Sequence, residues 1–155
     1  MRGEKPPTEA MQEYDALLHE HFAAPPRFDL ILLGMGDDGH TASLFPNTEA
    51  LHEQTRWAVP NPVPKLNQTR LTLTYHVLNA AACVLFMVVG EKKAEILKTV
   101  LEGPYDPFMW PSQGVLPAEG RLLWLVDAAS AASLTSNAAT AGLDGTSPVP
   151  PTEGE

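Results

Sequence analysis

Residues Phe28 to Pro46 read FDLILLGMGDDGHTASLFP, and this stretch decides how the chain is built. It opens with an apolar run, Leu30-Ile31-Leu32-Leu33, too short to cross a membrane and typical of a strand buried on both faces. The run breaks at once into Gly34, Gly36 and Gly39, where backbone can take positive φ or approach a ligand closely. Asp37, Asp38 and His40 stand inside that turn, and Thr41 or Ser43 is placed to cap a short helical turn closed by Pro46. Ligands of open α/β sheets bind just beyond the carboxyl ends of strands, and this segment is laid out like such a site. Taken singly its parts are weak signals. A glycine turn after a buried strand is common architecture, and a lone histidine is more often structural than catalytic.

Ahead of this stretch, residues 1–7 form a loose lead-in, and Thr8 is the expected N-cap of a helix with Glu9 in its first turn. Ala10, Met11, Tyr14, Leu17, Leu18 and His21 fall on one stripe at helical spacing, which packs the helix on a sheet. His19 and His21 read as solvated face and packing edge. Pro25-Pro26 stops the helix and leads into the strand, the order of an α/β crossover unit.

Beyond it, Thr48–Trp57 connects through a possible helical turn to a short strand at Trp57-Ala58-Val59, and Pro60 to Pro64 reads as extended and irregular. Arg70-Leu71-Thr72-Leu73-Thr74 alternates apolar with polar, as a two-faced strand does, and Tyr75–Ala81 reads as a short helix. Cys83 to Val89 is apolar throughout, which places it in the middle of a largely parallel sheet with both faces buried. Gly90 ends it. Glu91–Leu101 follows as an amphipathic helix with Ala94, Leu97, Val100 and Leu101 inward, terminated by Gly103-Pro104. The loop Tyr105–Pro117 carries Phe108 and Trp110 as packing anchors. Leu122–Val126 is one more buried strand, and Ala128–Leu134 a short Ala-rich helix. From residue 135 the chain turns Ser/Thr/Gly/Pro-rich and then acidic, with too little apolar surface to fold. One domain over residues 1–134 and a disordered tail over 135–155 is the expected organisation.

Composition narrows the function classes. The 155 residues are 44% apolar and carry a formal charge of −9, with 10 Lys and Arg against 19 Asp and Glu. Nucleic-acid binding needs a basic footprint, so no nucleic-acid partner is expected, and an acidic surface is repelled by anionic membranes. The start MRGEKPPTEA has no apolar core of a secretory signal, and no run is long enough for a membrane span. Cys83, the single cysteine, reads as a buried reduced thiol, and the expected location is the cytoplasm. No Cys/His or carboxylate set has metal-ligand spacing, so neither a metal nor another cofactor is expected.

Read whole, G-M-G-D-D-G-H-T-A-S-L-F-P (residues 34–46) resembles the signature loop of the 6-phosphogluconolactonases, in the group that also holds the glucosamine-6-phosphate deaminases. Arg70 to Thr74 with Leu78-Asn79, Gly90 to Ala94 through Leu101–Pro104, and Leu122–Asp127 resemble successive blocks of the same family in the same order. The resemblance implies an α/β fold, a three-layer, mostly parallel Rossmann-like sheet flanked by helices. It also implies that the chain is the C-terminal half of such a domain. The family's first half carries a Gly-Gly-Ser phosphate loop and a strand ending in Glu-Arg, and neither is present here.

The implied reaction is hydrolysis of 6-phospho-D-glucono-1,5-lactone in the oxidative pentose phosphate pathway. Water must lose a proton as it attacks the lactone carbonyl, and the ring oxygen must gain one as it leaves. One histidine of near-neutral proton affinity can do both, a contribution of about 10²–10⁴-fold. His40 matches the family's catalytic histidine. Asp38 can orient the imidazole, or serve an Asx-type turn, or both; Asp37 reads as a solvent-facing turn residue. Backbone N–H groups of the turn at Gly34, Gly36 and Gly39 are expected to bind substrate oxygens. With so acidic a chain, phosphate must be held by local cations. Arg70, matching a family arginine and having the forked geometry, is the first choice. Lys65 is the second, its alternative being an ordinary surface lysine. The deaminases continue after D-G-H into Asn-Glu-Pro, whereas this chain has Leu44-Phe45-Pro46, so the ring-opening glutamate is missing and the lactonase reading is favoured. The other class of reading is a half-domain that is inert, binds sugar phosphates weakly, or works only with the missing N-terminal half.

Overall fold

A computed structural model describes residues 1–135 of the protein, so most of the tail expected to be disordered lies outside the described residues. The elements run α1 (Pro7–His21), β1 (Ile31–Leu33), β2 (Ala58–Val63), β3 (Gln68–Leu73), α2 (Tyr75–Leu78), β4 (Cys83–Val88), α3 (Ala94–Glu102) and β5 (Arg121–Val126). Short 3-10 turns at Glu49–His52, Pro64–Leu66, Glu91–Lys93 and Pro111–Gly114 join them. β1, β4 and β5 form a parallel sheet in the order β1-β4-β5, while β2 and β3 pair antiparallel as a hairpin. A mostly parallel sheet with helices is the α/β architecture the sequence implies.

One face of the parallel sheet carries the core. Leu33, Val84, Phe86 and Val88 point into it and meet Ile96, Leu97 and Val100 of α3, with Leu44, Leu51 and Val115 closing the layer. Phe86 and Trp124, partners across β4 and β5, stack with centroids 4.0 Å apart. The opposite face differs from expectation. β1 and β4 were expected to be buried on both sides and β5 to be a buried strand, yet Leu32 is 58% exposed, Met87 49% and Leu125 54%. Register lines up Leu32, Leu85 and Leu123 across the three strands, and Met87 beside Leu125, on this uncovered side. Only three residues of β1 pair, and Leu30 before β1 and Val89 after β4 also lie exposed. No element among the described residues packs there. Cys83 shares that side and is half-buried, not buried.

Several local expectations are corrected. α1 starts at Pro7 with Pro6 at the cap in place of Thr8. Proline suits the first helical position, because its fixed φ is helical and the N–H it lacks would have no partner there. Of the α1 stripe, Ala10, Met11 and Leu18 are buried, but Leu17 and His21 are exposed. Met11 and Leu18 cluster with Trp57, Ala58 and Val77, so α1 packs on the hairpin, not on the parallel sheet. His19 remains exposed but lays its ring on Trp57 at 3.7 Å.

Residues 60–63, expected to be irregular, continue β2. The Trp57 carbonyl accepts from the Thr74 N–H. The antiparallel alternation then turns the nitrogens of residues 58, 60 and 62 away from β3. The Ala58 N–H goes to Asp15, 3.0 Å away, and Pro60 and Pro62 have no N–H to leave unpaired. α2 is shorter than expected. The segment 128–134 is a run of turns, not a helix, because the buried Ser130 hydroxyl donates to the Val88 carbonyl and Asp127 takes the Ser130 and Gly90 N–H groups. Phe108 is 44% exposed and stacks on His52; Trp110 is half-buried. No helix of the described residues is long and apolar enough to cross a membrane.

Candidate active site

The glycine-rich loop leaves the carboxyl end of β1, as the crevice rule for parallel sheets requires. It closes on itself before it meets anything else. The Gly36 N–H donates to the His40 carbonyl at 2.8 Å and the Gly39 N–H to the Gly36 carbonyl at 3.1 Å. The Thr41 hydroxyl reaches back to the Gly34 carbonyl at 2.8 Å. Thr41 and Leu44 form a one-residue bridge with Ala42 at φ +49°, so no helical turn is capped there.

Two of the glycines have different reasons. Gly39 sits at φ +72°, a conformation L side chains rarely adopt. A Cβ on Gly36 would fall inside the imidazole of His40, so glycine there makes room for the ring. Gly34 meets no such limit, since a Cβ on it would touch nothing within 4 Å. Because Gly36 and Gly39 spend their N–H groups within the loop, their contribution is shape before it is hydrogen bonding to substrate.

Other elements pin the loop from outside. The Gly39 carbonyl accepts from the Ser112 N–H at 2.9 Å and the Ser112 hydroxyl at 2.8 Å. Lys93, half-buried ahead of α3, donates to the Met35 carbonyl at 2.9 Å and to Asp37 at 2.5 Å. From the hairpin side, the buried Asn61 amide donates to the Ser43 carbonyl at 2.8 Å, and the Ser43 N–H donates to Thr72 Oγ1 at 3.2 Å.

Within this frame Asp38 and His40 are close. His40 Nδ1 lies 2.5 Å from Asp38 Oδ1, and the His40 N–H bonds the same oxygen at 3.3 Å. Lys65 Nζ donates to the other oxygen, Asp38 Oδ2, at 2.6 Å. The imidazole stacks on Phe45, with centroids 4.0 Å apart and planes 23° apart. Burial pushes the Asp38 carboxyl up, but the Lys65 ammonium and the His40 ring and N–H outweigh it and hold it at about 2. Asp38 is therefore a carboxylate across the physiological range. The Lys93 ammonium also holds Asp37 below its usual value, although Asp37 is solvent-facing as expected. Two open clefts flank the loop. One, about 340 Å³, is bounded by Gly34, Gly36, Ala42 and His40. The other, about 410 Å³, is bounded by Asp38, Phe45, Lys65, Met109 and Trp110.

The structure thus brings together Gly34, Gly36, Gly39, Asp38, His40 and Lys65. Arg70 is not hydrogen-bonded into this cluster. It is exposed on β3 opposite Asn61, and no hydrogen bond or ion pair of its guanidinium is found among the described residues. Sequence reasoning gave no role in holding the loop to Lys93 or Ser112. Lys93 lies 56 residues from its Asp37 partner and Ser112 lies 73 from Gly39, so no local pattern could have exposed either. The stacking role of Phe45 was equally out of reach.

Comparison with known proteins identifies the family. The family described as glucosamine-6-phosphate isomerases/6-phosphogluconolactonase matches residues 1–124. Human 6-phosphogluconolactonase is 42% identical over 135 residues, which cover 85% of this chain and 52% of that protein. Among solved structures, the devB protein is 32% identical with a TM-score of 0.75, covering 86% of this chain and 57% of that one. The 6-phosphogluconolactonase of Leishmania guyanensis is 28% identical with a TM-score of 0.68, covering 83% and 54%. The chain spans about half the length of the curated relatives it matches. It belongs to the glucosamine-6-phosphate isomerase/6-phosphogluconolactonase family.

Proposed function

We propose that this chain carries the acid–base half of a 6-phosphogluconolactonase site, hydrolysing 6-phospho-D-glucono-1,5-lactone to 6-phospho-D-gluconate. The observation that carries the reading is the bond between His40 Nδ1 and Asp38 Oδ1. An ionised Asp38 accepts the Nδ1 proton, which fixes the tautomer and leaves Nε2 with its lone pair. Nε2 takes a proton from water as the water oxygen attacks the lactone carbonyl carbon. The tetrahedral intermediate then collapses, the bond from that carbon to the ring oxygen breaks, and the proton on Nε2 passes to the departing oxygen. Arg70 is the proposed phosphate ligand, chosen for its forked donor geometry. Phe45 stands where the deaminases of the group carry a glutamate, which favours the hydrolytic reaction over sugar ring opening. Substrate and product are both charged sugar phosphates, and we place their turnover in the cytoplasm.

A second reading is favoured by the uncovered side of the parallel sheet. Leu32, Met87 and Leu125 are exposed there in a chain about half as long as its relatives. On this reading the site works only when a polypeptide equivalent to the unmatched half of those relatives covers that face. The chain by itself then binds sugar phosphates weakly or not at all.

The deciding experiment is hydrolysis of freshly prepared lactone by the purified chain, corrected for spontaneous opening, beside His40→Ala. A rate above background that vanishes in the variant supports the first reading. Background rates in both, with activity appearing when the complementary half of the human relative is added, support the second. Background rates in every combination would overturn both.

A further inference from the structure

We propose that Lys65 is a positioning residue of the Asp38–His40 pair, fixing the carboxylate from outside and offsetting its negative charge beside the imidazole. The inference deepens the hydrolytic reading and rests on it. From sequence, Lys65 was a candidate for the substrate's phosphate; in the structure its ammonium pairs with Asp38 Oδ2 at 2.6 Å.

The two oxygens of Asp38 have separate partners. Oδ1 takes both donors of His40, and Oδ2 takes Lys65. A carboxylate held at one oxygen can still rotate about its Cβ–Cγ bond; held at both, it stays in register with the imidazole. The partners also differ in exposure. The Lys65 side chain is 66% exposed, against 22% for Asp38, so a solvated cation closes over an anion that the loop largely encloses.

The position of Lys65 is fixed by backbone. It lies in the 3-10 turn Pro64–Leu66 that joins β2 to β3, and Asn67 closes this turn at φ +49° with its N–H on the Pro64 carbonyl. That hairpin is fastened to the catalytic loop twice, through Asn61 to the Ser43 carbonyl and through Ser43 to Thr72. Lys65 therefore projects toward Asp38 from a backbone braced to the loop.

The electrostatic consequence has a definite sign. A lone carboxylate against an imidazole favours the protonated ring, which cannot accept a proton from water. Lys65 offsets that charge. The other charges facing the loop are Asp37 and Lys93, which pair with each other, and Lys92 farther along the same turn. Phe45 and Gly36 lie against the ring and carry no charge.

The test is an NMR titration of His40 in the full chain, which needs no catalysis. Lys65→Met should raise the titration midpoint by about half a pH unit, the range set by exposed ion pairs. Lys65→Arg should restore it. In an Asp38→Asn background the same Lys65→Met change should leave the midpoint unmoved. An unmoved midpoint in the single variant, or an equal shift in both backgrounds, would overturn the inference. Lys65→Gln replaces the methionine variant should the latter fail to fold.

In the lactone assay, Lys65→Met should move the acid limb of the rate profile to higher pH. The loss there is up to about threefold, the half unit expressed as a ratio, with the alkaline plateau and KM kept. A raised KM with an unmoved acid limb would return Lys65 to the phosphate. If the wild-type chain shows only background hydrolysis, the hydrolytic reading is what fails, and the titration still decides whether Lys65 acts on His40 through Asp38.

Discussion

The imidazole of His40 rests on the ring of Phe45 at a centroid distance of 4.0 Å, while its Nδ1 is held by Asp38 at 2.5 Å. One contact fixes the plane of the imidazole and the other engages its Nδ1. Phe45 is only 7% exposed, so it is both a core residue and the seat of the ring. Phe45→Ala should lower unfolding free energy by about 3–5 kcal/mol, and Phe45→Leu by roughly 1 kcal/mol. Urea unfolding measures both. If stacking orients the base, the leucine variant should lose more activity than its small stability loss explains. Full activity in that variant would reduce Phe45 to a packing residue.

Gly34 and Gly36 make a matched pair. A methyl at Gly36 overlaps the His40 ring, whereas one at Gly34 meets nothing within 4 Å. Gly34→Ala should therefore leave stability unchanged or raise it by up to about 1 kcal/mol, through a less free unfolded chain. Gly36→Ala should displace the imidazole and abolish hydrolysis. Thermal unfolding and the His40 ring resonances distinguish the two. An undisturbed His40 signal in Gly36→Ala would show that the loop has room the structure denies it.

What the sequence revealed and what it hid divide along one line. The strand, the glycines and the Asp-x-His order lie within a single stretch, so local reading could find them. Lys65 and Arg70 were both visible as cations, but which of them meets Asp38 depends on a hairpin whose prolines disguised β2 as irregular chain. Lys93 and Ser112 hold the loop across 56 and 73 residues, a distance no periodicity spans. The burial of β4 was misread for a related reason. Seven apolar residues in a row state that both faces can be covered, not that the described residues supply the cover.

Asp38 gives a pH signature with a fixed sign. Its folded value, about 2, lies below the ordinary 3.8. Its ionised form therefore contributes stability that is fully present above about pH 4 and is lost as pH falls through about 2. The melting-temperature gap between wild type and Asp38→Asn should close as pH falls from about 4 to about 2. Glu53, also held at about 2, titrates in the same window, so the difference between variants is the quantity to follow. A gap that persists unchanged at pH 2 would mean that the ion pairs of Asp38 do not stabilise the fold.

The uncovered sheet face predicts how the chain behaves in solution. Leu32, Met87 and Leu125 are large apolar side chains standing 58%, 49% and 54% exposed, with Leu85 and Leu123 half-buried between them. Contiguous apolar surface of this kind drives association, and the free edge of β1 adds unpaired backbone groups beside it. The purified chain should self-associate as its concentration rises, by light scattering or sedimentation. Replacing Leu32, Met87 and Leu125 together with threonine should disperse it, at a cost within about 0.5 kcal/mol per site, because no described side chain packs over them. The same triple variant should lose any gain in activity that the complementary half of a relative confers on the parent chain. A parent chain that stays monomeric, with complementation unaffected by the three substitutions, would mean that this face is not the surface the other half covers.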